Sequence, residues 1–309
     1  MLAVSAHYTG AGRLPERRGI DVPEESVVSQ SRVGLHGVSL NVAEAGPRDG
    51  PPTILLHGFP EFWFGWRRQI GPLAGAGLRL VIPDQRGYNL SDKPEGLPAY
   101  HLDRLAADVI ALADAYGFAR VRLVAHDWGG LVAWWAASLY PERIERLAIL
   151  NAPHPGIFAS YVRRHPGQWL RSAYVALFQI PRFPERRLTA DGGRVLRRAL
   201  ADTSRPGSFS AGDLDRYAEA WTRPGAMQAM LNWYRALVRL PRRDPVPRVL
   251  APTLILWGRC DHALQPGLAE ASLTLCDRGR IQWFPEATHW VQHDEAEAVN
   301  RALIDFLTG

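Results

Sequence analysis

Cysteine is nearly absent: the 309 residues hold two, Cys260 and Cys276. Neither sits in a C-x-x-C or Cys/His ligand spacing, so neither a disulfide framework nor a zinc site is suggested, and a reducing compartment such as the cytoplasm fits. Lysine is scarcer still, with Lys93 alone, so almost all positive charge is arginine. No stretch approaches the ~18 consecutive apolar residues of a membrane span, and MLAVSAHYTGAGRLPERRG at the start lacks the continuous apolar region of a signal peptide. No internal repeat or low-complexity tract is present. These absences predict a soluble, cytoplasmic chain organised by its hydrophobic core.

The material for that core is ample, at 47% apolar and 22% charged residues. Disorder is therefore not the default, and the length suits one large α/β domain with an insertion or two ordinary domains. The net charge of +5 is uneven: residues 151–250 carry 17 Arg against seven Asp or Glu, an excess of +10 that leaves −5 on the remainder. Scattered arginines most simply make a solvated surface. The functional alternative is attraction of acidic amphiphiles or an anionic membrane surface. Nucleic acid is disfavoured as a partner because no recognised motif accompanies the charge.

Apolar runs of strand length alternate with helical patterns, the signature of a mostly parallel sheet wrapped by helices. Strands are expected at 53–56, 78–82, 121–125, 147–150, 253–257 and 280–284. Leu105, Val109, Leu112 and Tyr116 recur at helical spacing, with Asp103 placed to cap that helix, and a closing helix is expected near 294–307. From about Pro153 to Arg248 the rhythm breaks into helical patterns, prolines and arginines. The organisation predicted is an arm at 1–25, a core at 26–152 and 249–309, and a helical cap at 153–248 inserted between two strands. Such a cap would cover the carboxyl ends of the strands, where open α/β sheets bind ligands.

The strand at 121–125 runs into HDWGG and then a helix whose apolar positions include Leu131, Trp134, Trp135 and Leu139. A strand, small residues around one polar side chain and a helix make the nucleophile-elbow context, with Asp127 at the nucleophile position. Asp127 could also be no more than a helix N-cap. As a nucleophile, a carboxylate of reference pKa ~3.9 is already ionised at neutral pH, so it needs no base for the attack. A histidine is required only afterwards, to activate the water that hydrolyses the ester. Asp261 in GRCDHALQ and His289 in EATHW follow the last two strands, and the order nucleophile, acid, histidine is that of the α/β-hydrolase fold. His262 and His293 compete by residue type but read as surface or packing residues. After the strand at 53–56, HGFPEFWFGWR would supply one oxyanion-hole N–H from Phe59, with Trp128 supplying the other.

Taken together, HGFPEFWFGWR, DQRGYNLSDKP, HDWGG, NAPHP, LNWYR and EATHW make the chain resemble the epoxide hydrolases of the α/β-hydrolase fold, from about Val33 onward. The resemblance implies a sheet of about eight strands and an epoxide and water as reactants, with no metal or organic cofactor. It implies a cis peptide before Pro60. It also implies two cap tyrosines that protonate the opening epoxide: Tyr234 in LNWYR, and Tyr174, four residues before Phe178 in AYVALFQ. A haloalkane dehalogenase would use the same triad with the Trp128 indole on the halide. A non-catalytic binding protein on the same scaffold would be expected to have a broken triad.

Overall fold

The computed structural model describes residues 28–241 and 247–309. The arm expected at 1–25 lies outside the described residues, as do positions 242–246 of the expected cap. Eight strands form one sheet: β1 (Ser29–Leu35), β2 (Val38–Ala45), β3 (Pro52–Leu56), β4 (Arg79–Pro83), β5 (Val121–His126), β6 (Ile144–Leu150), β7 (Thr253–Gly258) and β8 (Gly279–Phe284), in spatial order β1-β2-β4-β3-β5-β6-β7-β8. The pairs β1/β2 and β2/β4 are antiparallel and the others parallel. The six strands expected from the apolar runs are all present. β1 and β2 were not singled out because β1 is mostly solvated and β2 interrupts its apolar residues with Asn41 and Glu44.

The parallel strands β3 to β7 are largely buried on both faces, which is why they read as continuous apolar runs rather than alternating ones, whereas the edge strand β8 is mostly exposed. Leu55, Val124, Ala148, Leu150, Leu254 and Leu256 pack with α1 (Arg67–Gly75) and α12 (Ala296–Thr308) on one face. Ile54, Leu56, Leu123, Ile149, Ile255 and Trp257 pack on the other face with α2 (Leu102–Ala115), α3 (Asp127–Leu139) and α10 (Gly267–Leu273). Two helix ends differ from expectation. The cap of α2 is His101, whose Nδ1 accepts the Asp103 N–H at 3.2 Å, while the Asp103 carboxylate takes the Trp135 indole at 2.7 Å. The closing helix is split by the non-helical Glu295 into α11 (Val291–Asp294) and α12.

Among the described residues, six helices lie between β6 and β7: α4 (Pro155–Arg164), α5 (Pro166–Arg171), α6 (Tyr174–Phe178), α7 (Phe183–Thr203), α8 (Ala211–Thr222) and α9 (Ala226–Arg239). α7 is broken at Ala190 to Gly193, where three consecutive residues have positive φ. Polar anchors fasten this insertion to the sheet domain. Trp221 Nε1 donates to the Pro60 carbonyl, Trp233 Nε1 to Arg86, Gln168 Nε2 to Ala263, and Arg67 pairs with Asp213.

The strand order reverses between β3 and its neighbours β4 and β5, which opens a crevice beyond the carboxyl ends of β3 and β5. Glycine makes that crevice narrow. A Cβ on Gly129 would lie 2.4 Å from the Leu56 carbonyl oxygen and 2.5 Å from that of His57, and one on Gly130 would lie 2.3 Å from Ala152 Cβ. The start of α3 therefore rests directly on the backbone leaving β3. Gly129→Ala should cost about 1–3 kcal/mol of unfolding free energy through overpacking against unyielding backbone. Urea denaturation checks this, and an unchanged midpoint would contradict the contact.

Candidate active site

Asp127 is the residue at which β5 turns into α3. Its φ is +50°, a left-handed conformation for a residue with a Cβ, and such strain of about 1–3 kcal/mol persists only where the surroundings over-determine it. Here they do. Oδ1 accepts the Phe59 N–H at 2.8 Å, and Gly58 lies so close that a Cβ there would meet Oδ1 at 2.6 Å. Because α3 makes no side-chain cap bond and its N-cap is His126, the alternative in which Asp127 merely caps the helix is not what the geometry shows. Phe59 precedes a cis-Pro60. Trp128 follows at the start of the helix, where N–H groups have no intrahelical acceptor.

His289 sits between two carboxylates, with Nδ1 2.8 Å from Asp261 Oδ2 and Nε2 3.5 Å from Asp127 Oδ2. Asp261 is saturated with donors: Oδ1 takes the N–H groups of Ala263 and Leu264 at 2.7 and 2.9 Å, and Oδ2 takes Asn151 Nδ2 at 2.7 Å. Burial alone would favour neutral carboxyls, but His289 and these donors outweigh it and hold Asp261 below the usual carboxylate range. Asp127 is lowered too, with burial overcome by its hydrogen bond to His289. For His289, burial disfavours the cation, yet the charge of Asp261 and the contacts with Asp127 push its pKa up to about 10.

Above the carboxylate lie the tyrosines. Tyr234 on α9 packs its ring 4.7 Å from Trp128, 5.3 Å from Phe59 and 5.0 Å from Phe178, centroid to centroid. Tyr174 on α6 has its ring 6.0 Å from that of Tyr234, and the two hydroxyls interact. Burial raises both phenol pKa values, and the Asp127 charge raises them further, so both stay protonated donors. The Trp128 indole is directed to the Tyr234 hydroxyl.

All the residues singled out from the sequence, Asp127, Asp261, His289, Tyr174, Tyr234, Phe59 and Trp128, converge on this crevice. His262 is exposed, and His293 is buried 2.8 Å from Glu61 Oε1, outside the crevice. Several supporting residues were missed. Asn151 bonds both Asp261 and the Gly258 backbone. His126 Nε2–H donates to the His289 carbonyl at 2.9 Å. Glu61 accepts from Tyr217 of α8 at 2.6 Å and from Gln292 at 3.1 Å. Arg235, next to Tyr234, donates to the carbonyls of Phe178 and Ile180 and pairs with Glu185, tying α9 to the end of α6. The only sequence signal for these was membership in NAPHP, HDWGG, HGFPE and LNWYR.

With the geometry in place, comparison with known proteins narrows the class. The alpha/beta hydrolase fold family matches residues 51–296. A Bacillus subtilis AB hydrolase superfamily protein, YfhM, is 43% identical over 89% of this chain and 96% of its own length. Mouse Epoxide hydrolase 4 is 37% identical over 89% of this chain and 78% of its own length. The crystal structure of Bacillus megaterium epoxide hydrolase in complex with an inhibitor matches with a TM-score of 0.82 at 30% identity, covering 90% of this chain and all of the other. The chain belongs to the epoxide hydrolase family of the α/β-hydrolase fold.

The buried histidines around the site set a pH limit. Burial lowers His57 and His154 to about 4, and His57 Nε2 accepts the Gln85 N–H at 3.0 Å, a bond that protonation would break. Their folded pKa values lie below the unfolded value of ~6.5, so the stability they contribute is complete above that pH and is lost as pH falls toward 4. His293, likewise lowered by burial to about 4, adds to them, whereas Asp84, raised by burial to about 6, and Asp108, also raised by burial, work the other way. The thermal midpoint should therefore fall between pH 6.5 and 4. A midpoint that holds or rises on acidification would overturn this, and His154→Gln should flatten part of the slope.

Proposed function

We propose that the chain hydrolyses epoxides to vicinal diols in two half-reactions, with Asp127 as nucleophile and Tyr174 and Tyr234 as acids. The observation that carries this reading is that a half-buried, ionised carboxylate faces two phenols held in their protonated form. An Asp127 oxygen attacks an epoxide carbon and the carbon–oxygen bond opens. The departing oxygen takes a proton from the tyrosine pair, leaving a hydroxyalkyl ester on Asp127.

The ester changes the electrostatics of the site. Esterification removes one of the two negative charges that hold His289 near 10, so its pKa drops and the imidazolium releases its proton to solvent while the tyrosinate takes one back, which leaves a neutral imidazole as the base when water must be activated. Asp261 keeps the ring oriented through Nδ1. Water attacks the ester carbonyl and gives its proton to His289 Nε2. The oxyanion rests on the N–H groups of Phe59 and Trp128; its collapse expels the alkoxide, which takes the proton from His289 and leaves as the diol, and the Asp127 carboxyl then returns its proton to His289.

His289→Gln, incubated with styrene oxide, should accumulate enzyme heavier by one substrate on intact-mass analysis, and peptide mapping should locate the adduct at Asp127. Absence of any adduct despite binding would sink both assignments. Tyr174→Phe combined with Tyr234→Phe should slow single-turnover ester formation by about 10²–10⁴-fold, the usual worth of general acid catalysis. Opening at the unmodified rate would remove the tyrosines from the mechanism.

A further inference from the structure

We infer that the face of the insertion formed by α5, α6 and the turn into α7 docks on an anionic lipid surface. Exposed large apolar side chains concentrate there: Trp169 is 62% exposed, Leu170 67%, Leu177 42%, Ile180 47% and Phe183 54%. Val238 on α9, 57% exposed, joins them, because its neighbour Arg239 bonds Gln179 at the end of α6. Among the described residues, the other exposed large apolar side chains are Tyr174, on the same face, and the separate Leu90 and Leu250. Clustered rather than scattered exposure marks an interaction surface.

The charge around the cluster selects the occupant. Arg163, Arg164, Arg182, Arg186 and Arg187 are exposed, and none is in an ion pair among the described residues. The one carboxylate between residues 155 and 190, Glu185, is engaged by Arg235 inside the insertion. Arg182 and Arg186 also border a cavity of about 440 Å³, with room for a phosphate headgroup. A second copy of the chain packed symmetrically on this face would bring the same unpaired arginines toward one another. An anionic bilayer surface neutralises them while the tryptophan, leucines and phenylalanine enter its interfacial layer. No described helix is long and apolar enough to cross a membrane, so the association is peripheral.

Docking in this way places the entrance of the crevice at the lipid. Tyr174 is 41% exposed on this face while its hydroxyl meets Tyr234 at the nucleophile. The substrate class that follows, lipophilic epoxides dissolved in the bilayer, rests on the activity proposed above; the docking itself does not.

Sedimentation with phosphatidylcholine vesicles containing about 30 mol% phosphatidylglycerol, against pure phosphatidylcholine, tests the docking. The protein should bind the anionic vesicles preferentially, and less so as salt is raised. A surface arginine near an anionic leaflet is worth about fivefold in partitioning, so Arg186→Glu with Arg187→Glu should weaken binding by at least about 25-fold. Trp169→Ser with Phe183→Ser should weaken it as well. Both variants should turn over a water-soluble epoxide in vesicle-free buffer at the unmodified rate. Failure to sediment, binding indifferent to these substitutions, or self-association that Trp169→Ser abolishes would each overturn the proposal. Vesicle-free turnover separates the two readings: its presence without vesicle binding removes the docking alone, and vesicle binding without turnover removes the activity alone.

Discussion

The arrangement depends on one close approach, the first turn of α3 against the backbone leaving β3. Gly129 admits the carbonyl oxygens of Leu56 and His57, Gly58 admits the Asp127 side chain, and Asp127 accepts the left-handed backbone that joins strand to helix. Any of these positions with a larger side chain would push the helix off the sheet. The bond from Phe59 N–H to Asp127 would be lost first, since its 2.8 Å length is set by that approach. Local strain is tolerated because two strands and a helix converge on it, and the same convergence aims the carboxylate out of the sheet.

A second level of organisation joins the insertion to this point. Glu61 lies two residues after Phe59, is buried, and accepts from Tyr217 of α8, from Gln292 and from His293. Burial would favour its neutral form, but His293 and His126 outweigh it and keep the carboxyl low. A buried, ionised carboxylate with this many donors is costly to disconnect. It therefore fixes the loop carrying Phe59, the segment after His289 and a helix of the insertion relative to one another. Arg235 does the same for α9 and α6, so the two tyrosines are held from both sides.

The legibility of these parts in the sequence follows from how local each one is. The strands β3 to β7 were visible because burial on both faces makes continuous apolar runs. β1 was not, because its exposed residues carry no such run, nor was β2, whose apolar residues are interrupted by Asn41 and Glu44. The elbow was visible in a seven-residue context. The supporting bonds of Asn151, His126 and Glu61 link residues between 107 and 232 positions apart, and nothing in the local pattern around any one of them specifies the partner. Asp103 shows the same limit on a small scale: an aspartate at a helix start suggests a cap, but a tryptophan 32 positions away takes its carboxylate.

The choice of carboxylate over hydroxyl at the elbow explains why the proposed chemistry is divided between the two parts of the chain. A serine would need His289 to remove its proton and would then have an imidazolium ready to protonate the leaving group. Asp127 yields no proton, and His289 is held as a cation between two carboxylates, directed at the nucleophile rather than beyond it. In the proposed scheme the acid for the departing oxygen therefore comes from the insertion, whose Tyr174 and Tyr234 face the carboxylate. Burial raises the phenol pKa values there, and the low dielectric that raises them also makes any unprotonated leaving alkoxide expensive. In the proposed scheme ester hydrolysis thus belongs to the sheet domain, while selection of the electrophile belongs to α6 and α9. Substitutions in those two helices should change what is opened before they change how the ester is released.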